Sequence, residues 1–224
     1  MRAMILAAGR GQRMRPLTDD KPKPLLEAGG KPLIVWTIEA LARADFRELV
    51  INVSHLGDRI INALGDGQRW GVTIRYSREA EALETAGGIA TALPLLGDGA
   101  FLVVNADIHT DFEFARARAA LPSHGDALAH LVLIDNPAHH QGGDFALKAG
   151  RVATEGGPRY TFSGIGVYHP ALFSDIPAGA KRQLSAVLRP QIEAGHVSGE
   201  HYRGYWSDIG TPERLSALDR RLSL

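Results

Sequence analysis

The first 25 residues, MRAMILAAGRGQRMRPLTDDKPKPL, constrain this chain more than any later stretch. Residues 2–7 form a short apolar run whose length suits a buried strand rather than a helix. The run breaks at Ala8, Gly9 and Gly11. Loss of side-chain bulk where a chain leaves a strand lets backbone N–H groups approach a polyanion, and glycine enters positive φ without strain. Arg10, Arg13, Arg15, Lys21 and Lys23 surround the turn, opposed only by Asp19 and Asp20. The segment is therefore locally cationic, although over the whole chain 25 Lys+Arg balance 25 Asp+Glu. Lys23 stands between Pro22 and Pro24, each of which fixes its own φ and restricts the residue before it, so the amine is aimed.

A glycine-rich turn alone is a weak signal, and two better-known phosphate motifs fail. The pattern G-x-x-x-x-G-K-[ST] is absent. The dinucleotide pattern fails because Met14 stands where a small residue is needed for close helix packing. The next strand also ends in Asn52 and Ser54 instead of the acidic residue that would meet a ribose.

Downstream, apolar periodicity predicts a helix over 33–44 with Trp36 in its core stripe, a strand at 48–53, a helix at 55–64 and a strand at 72–76. Strands alternating with helices imply parallel, largely buried pairing. Residues 79–88 read as a polar loop before a short helix at 89–95, with Thr85 as its cap and Gly87 and Gly88 admitting a flat ring. A strand at 101–104 leads into Asn105-Ala106-Asp107. Further predictions are a helix over 111–121, a strand at 128–135, a hairpin over 144–154 and a strand at 160–168. Last come a helix over 184–194 stopped by Gly195, a strand over 197–206, and a helix over 213–222 opened by Thr211 and Pro212.

In open α/β sheets ligands sit beyond the carboxyl ends of strands, which places Asp107 opposite the glycine loop. A carboxylate facing a phosphate site needs a cation between them, so Asp107 is a magnesium-ligand candidate, with a helix N-cap as the plain alternative. The adjacent His139 and His140 lack the spacing of a zinc site.

The series Leu6-Ala7-Ala8-Gly9-x-Gly11-x-Arg13-Met14-x-Pro16-Leu17-Thr18, then Pro22-Lys23-Pro24-Leu25, Asn105-Ala106-Asp107 and Gly204-Tyr205-Trp206-Ser207-Asp208-Ile209-Gly210-Thr211-Pro212, resembles the signature of the sugar-1-phosphate nucleotidylyltransferases. The likeness spans essentially the whole chain. It implies an α/β fold, a Rossmann-like three-layer α/β/α sandwich with a mixed, mainly parallel sheet, forming a single domain over residues 1–224. Residues 1–110 would take the nucleotide and 111–224 the sugar.

The resemblance also implies transfer of UMP from UTP to a sugar 1-phosphate, N-acetylmuramate 1-phosphate foremost and mannose, glucose or N-acetylglucosamine 1-phosphate as the alternatives, with Mg2+ held by Asp107 and Asp208. Lys23 and Arg15 would be catalytic, Lys23 between the two phosphates and Arg15 on the leaving pyrophosphate. Ala7, Ala8, Gly9, Gly11, Arg13, Glu84, Thr85, Gly87 and Asn105 would bind the nucleotide. Asp144, Phe162, Ser163 and Gly164 would face the sugar. Arg159, Lys148 and His140 stay open as partners for an acceptor carboxylate.

Two rival readings compete. Asp107-x-His109-x-Asp111 would put three metal ligands on one strand face, as in a metallohydrolase, but leaves the basic loop unexplained. A non-catalytic sugar-nucleotide sensor would share the fold. Balanced charge gives no field for nucleic acid or a membrane surface. The chain has no cysteine, which excludes disulfides and thiolate catalysis. It also lacks an apolar run of membrane-spanning length, so the cytoplasm is the expected compartment.

Overall fold

The computed structural model describes residues 1–120 and 126–223. Along the chain come β1 (Ala3–Leu6), β2 (Glu27–Ala28), β3 (Lys31–Pro32), α1 (Leu33–Arg43), β4 (Glu48–Val53), α2 (Gly57–Leu64), β5 (Thr73–Arg78), α3 (Glu84–Leu96), β6 (Phe101–Asn105) and β7 (Ile108–Thr110). The second half adds β8 (Ala129–Ile134), β9 (Phe145–Lys148), β10 (Arg151–Ala153), β11 (Arg159–Tyr168), α4 (Leu184–Glu193), β12 (Val197–Tyr202), β13 (Trp206–Asp208) and α5 (Pro212–Leu222).

Alternation along the strands builds two cores. Ala3 and Ile5 of β1, with Leu49, Ile51 and Val53 of β4, enter the core covered by α1 and α2. Met4 and Val50 point the other way, into the core covered by α3 and α4. A strand buried on both faces must be apolar at every position, which is why the opening run reads as continuous rather than alternating. The result is an α/β/α sandwich around a nine-stranded sheet of order β5-β4-β1-β6-β11-β8-β12-β10-β9. Helical crossovers make the pairs among β5, β4, β1 and β6 parallel. Beyond β6 pairing is antiparallel except where β12 lies parallel to β8, and β9 curls back to pair with the start of β11.

From β1 the chain moves through α1 to β4 and β5, then returns to place β6 on the other side of β1. This reversal of direction opens a crevice at the carboxyl ends of β1 and β6. Leu6 pairs with Asn105 there, so the glycine loop and Asn105-Ala106-Asp107 leave the sheet side by side. A third, smaller core brings in the chain's far end: Leu215, Leu218 and Leu222 of α5 pack on Met14, Leu26, Ala28 and Leu33.

Several expectations need correction. α3 starts at Glu84, five residues before the predicted 89, and Thr85 lies inside it rather than capping it. The N–H groups of Ala86 and Gly87 donate instead to the Arg182 carbonyl at 3.0 and 3.1 Å. Residues 111–121 hold no α-helix among the described positions but a 3-10 turn over Phe114–Ala119; Leu121 falls outside them. The strand expected over 197–206 is two strands in different sheets, because β13 leaves the main sheet to pair with β7. Asp107, His109 and Asp111 do not converge: His109 packs between Trp36 and Tyr205, and Asp111 accepts from the Tyr202 hydroxyl. Among the described residues no helix is long and apolar enough to cross a membrane.

Leu218 is 1% exposed and anchors α5 to the glycine loop through Met14. Leu218→Ala is expected to cost about 2–5 kcal/mol, the range for a fully buried leucine. Chemical denaturation of the purified variant measures it; a change below about 1 kcal/mol would mean that α5 is not held by this contact.

Candidate active site

The glycine loop is held from three sides. The Ala7 N–H donates to Asn52 Oδ1 at 2.8 Å, the Thr18 hydroxyl to the Gly11 carbonyl at 2.9 Å, and Met14 is fully buried in the α5 core. Gly11 has φ 63°, and a Cβ there would sit 3.0 Å from Thr18 Cγ2 and 3.1 Å from Lys23 Cβ, so both conformation and space require glycine. Gly9 differs: a Cβ there would meet nothing within 4 Å among the described residues. Packing does not explain its missing side chain, whereas a ligand lying on the backbone would.

Lys23 opens a 3-10 turn whose preceding Pro22 has φ −62° and ψ 141°, and the Leu25 N–H donates to the Pro22 carbonyl at 2.8 Å. This turn points the side chain inward, where Nζ lies 2.5 Å from Asp107 Oδ2. Lys23 is 8% exposed, so the ion pair sits in a medium less polar than water and each charge needs the other.

Asp208 reaches the same end of the sheet from the far end of the chain. β13 pairs Asp208 with Ile108, and the Ile209 N–H donates to the Asp107 carbonyl at 2.7 Å. Arg214 donates to both Asp208 oxygens, and His139 Nε2 lies 3.1 Å from Oδ1. The two carboxylates therefore have adjacent backbones, and each is already matched by a protein nitrogen.

A cleft of about 680 Å³ runs along this edge. It is lined by ten of the expected residues: Ala7, Ala8, Gly9, Gly11, Arg13, Lys23, Glu84, Thr85, Asn105 and Asp107. Glu84 has φ 61°, a left-handed backbone unusual for a long side chain and typical of ligand-contacting segments.

Other expected residues lie elsewhere. Arg15 is exposed and pairs with Asp19 at 3.2 Å, while Arg10 and Arg13 line the cleft. Gly87 is absent from the lining, since a Cβ there would fall 2.2 Å from the Ala180 carbonyl oxygen; its bareness serves the 180–182 segment. Asp208 stands just outside, two residues before the lining Gly210. Asp144 accepts from the Phe162 N–H at 2.8 Å. Ser163, 1% exposed, donates to the Val132 carbonyl at 2.7 Å. Gly164, φ 79°, leaves room for Asn105, whose Nδ2 would lie 2.6 Å from a Cβ there.

Sequence reasoning missed Asn52, Glu79, His139 and Arg214. Asn52 could have been found: it ends the strand beside β1, where a polar residue in an apolar run signals a buried hydrogen bond. Arg214 had no such signal, being one of several arginines on α5.

Comparison with known proteins agrees with this geometry. Residues 2–145 match the family described as nucleotidyl transferase. The chain is 52% identical over 222 residues to N-acetylmuramate alpha-1-phosphate uridylyltransferase of Neisseria meningitidis serogroup B, covering 96% of this chain and 95% of that protein. It is 33% identical over 235 residues to the protein of the same name from Caulobacter vibrioides, covering 99% and 96%. A Bacillus anthracis protein provisionally assigned as a glucose-1-phosphate thymidylyltransferase, solved with a sucrose, superposes with TM-score 0.87 at 21% identity over 100% of this chain and 95% of that one. The last likeness speaks for the fold alone. The chain belongs to the nucleotidyl transferase family and, within it, to the sugar-1-phosphate nucleotidyltransferases.

The two loop glycines give opposite expectations. Gly11→Ala should lose about 1–2 kcal/mol of stability through its left-handed backbone. Gly9→Ala should unfold within about 0.5 kcal/mol of the parent but bind nucleoside triphosphate at least about tenfold more weakly. Paired denaturation and calorimetric titration decide it; unchanged binding by Gly9→Ala removes the backbone-approach explanation.

Proposed function

We propose that the chain transfers UMP from UTP to N-acetylmuramate 1-phosphate, releasing pyrophosphate. The observation that carries this reading is the Lys23–Asp107 pair, held at the switch point of the sheet beside a loop whose N–H groups at residues 8–11 have no backbone acceptor among the described residues. The names of the Neisseria and Caulobacter relatives support the choice of uridylyl donor and sugar acceptor.

A phosphate oxygen of the acceptor forms the new bond to the α-phosphorus, and the bond from that phosphorus to the bridging oxygen of pyrophosphate breaks. The nucleophile is already an anion, so no general base is required; the obstacle is charge repulsion. Catalysis then rests on positioning and electrostatics. In this reading the N–H groups of residues 8–11 hold the triphosphate, assisted by Arg13. Lys23 neutralises charge between attacking and transferred phosphates. Arg10 and Arg13, on the cleft wall, are better placed than the outward Arg15 to meet the leaving pyrophosphate. Thr85 and the backbone at Glu84 face the base. Residues 111–224 supply the sugar side of the same domain.

Asp107 and Asp208 suit a magnesium ion by the chemistry of their donors, two hard carboxylates on neighbouring backbone segments. Among the described residues no group of three potential protein ligands forms a cage. That fits a cation which takes most of its ligands from phosphates and water. When bound, such an ion supplies Lewis-acid withdrawal of charge from the phosphate oxygens. Arg214 must then yield at least one Asp208 oxygen.

On the acceptor side, Arg159 donates to the carbonyls of Gly142, Gly143, Asp144 and Thr154, so its guanidinium is occupied in holding the hairpin. His140 is paired with Asp144 at 3.0 Å. Lys148 is the remaining candidate for an acceptor carboxylate among the three weighed from sequence.

Lys23→Ala and Asp107→Ala should each lower kcat by about 10²–10³ with the fold intact, the loss expected for one preorganised charge contact. Pyrophosphate release is measured with UTP and a panel of sugar 1-phosphates, before and after chelation of divalent cations. The reading predicts release that requires the sugar phosphate, is greatest with N-acetylmuramate 1-phosphate, stops on chelation and returns with magnesium. Near-parental turnover by either variant removes that residue from the mechanism, and preference for another sugar or base corrects the substrate.

A further inference from the structure

A chain of buried hydrogen bonds joins the glycine loop to the segment before α3, and the reaction scheme above leaves it unused. The Ala7 N–H donates to Asn52 Oδ1 at 2.8 Å, Asn52 Nδ2 donates to Glu79 Oε1 at 2.7 Å, and the Leu83 N–H donates to Glu79 Oε2 at 3.0 Å. Asn52 is 4% exposed and Glu79 6%. All four residues line the cleft.

The polarity of the chain is fixed at both ends. A backbone N–H can only donate, so Ala7 turns the Asn52 oxygen toward itself and thereby the Asn52 NH2 toward Glu79. The Leu83 N–H claims the other Glu79 oxygen in the same way. Both oxygens must accept, and only the ionised carboxylate satisfies every partner. Burial pushes the Glu79 carboxyl above its ordinary range, against which the Asn52 amide and the Leu83 N–H pull downward.

A buried carboxylate held by neutral donors is costly, and the surrounding sequence is adapted to it. A Cβ on Gly88 would lie 2.7 Å from Glu79 Oε1 and 3.0 Å from Asn52 Nδ2. α3 therefore tolerates a glycine in its interior, at roughly 0.5–1 kcal/mol relative to alanine, to make room for these two side chains.

We propose that Glu79, acting through Asn52, is the positioning residue of the nucleotide site: it locks the triphosphate loop and the base-facing segment 82–85 at one separation, so that both ends of a single nucleotide are gripped together. The inference rests on the nucleotide reading above and deepens it. Glu79 touches no reacting atom; it acts through Ala7 and Leu83.

Glu79→Gln preserves size but not polarity. Whichever way the new amide turns, its NH2 faces either the Asn52 NH2 or the Leu83 N–H, and rotating Asn52 as well would set its NH2 against the Ala7 N–H. The double variant Asn52→Asp/Glu79→Gln repairs this. The new carboxylate at position 52 accepts from Ala7 and from the new amide at 79, whose oxygen accepts from Leu83. Every bond returns, with the negative charge moved one residue.

UTP affinity of the parent, the single and the double variant is measured by calorimetry, together with thermal stability and the acceptor KM. Glu79→Gln should weaken UTP about 10–100-fold, as expected for one forced donor–donor contact, without moving the acceptor KM. The double variant should recover to within about threefold of the parent. Parent-like UTP affinity of Glu79→Gln overturns the inference, as does a double variant that is as stable as the parent yet still binds weakly. A fall in stability with unchanged UTP affinity would leave Glu79 a structural residue only and also overturns it. Should Glu79→Gln not fold, the double variant alone decides, by binding UTP like the parent or failing to. A parent protein that binds no UTP overturns the nucleotide reading itself, and this inference with it.

Discussion

The Lys23–Asp107 ion pair spans the crevice between the first strand and the sixth, and the rest of the site is built outward from it. Its geometry depends on two prolines that fix the lysine's backbone and on the register that sets Leu6 beside Asn105. Neither partner is free to relax, because breaking one contact leaves a charge in a half-buried place with nothing to answer it. Asp208 follows the same pattern, with Arg214 on both its oxygens. Asp107 and Asp208 are thus each matched by a cationic side chain of the protein itself. In the proposed reaction, incoming polyanions and a divalent cation exchange partners with groups already in place. That is how a chain of zero formal net charge would meet the proposed triphosphate without a global positive field.

The C-terminal segment completes the site by packing rather than by chemistry alone. Asp208 can stand beside Asp107 because β13 leaves the main sheet to pair with β7, and α5 then folds under the glycine loop onto Met14. The Gly29 N–H donates to Asp219 at 2.8 Å, tying α5 to the same region. Loop conformation and carboxylate placement consequently share one small core, so a loss of packing at α5 would be felt at the glycine loop and at Asp208.

The parts of the site legible in the sequence were those whose residue type has no use except at a ligand. A glycine turn amid arginines, a lysine between prolines and an aspartate at a strand end each carry their own chemistry. Features serving contacts between distant segments were not legible. Gly87 and Gly88 read as a loop because glycine is a poor helix former, yet Gly87 clears space for the Ala180 carbonyl and Gly88 for the Glu79 and Asn52 side chains, and the helix runs through both. Arg15 is the residue that the resemblance assigns to the pyrophosphate, yet the turn at Gln12–Met14 sets Arg10 and Arg13, not Arg15, in the cleft lining. Asn52 stood out as a departure from a dinucleotide site, and its own role became visible only when Ala7 and Glu79 were placed beside it.

The strand expected to face the sugar shows how closely the two halves are joined. β11 changes register between Phe162 and Gly166, and the irregularity is stabilised from within: Ser163 donates to Val132, and the Ile165 N–H donates back to the Ser163 hydroxyl. The bulge sets Gly164 at positive φ against Asn105, a cleft residue, while the Ser163 carbonyl accepts from the Trp206 indole at 2.8 Å. A single backbone irregularity therefore touches the cleft through Asn105 and the strand bearing Asp208 through Trp206. Ser163 and Gly164 serve this junction, whereas the missing side chain of Gly166 leaves room for the Tyr168 ring. The loop of residues 136–143 reaches the same junction from outside the strand, since it brings His139 to Asp208 and Arg214.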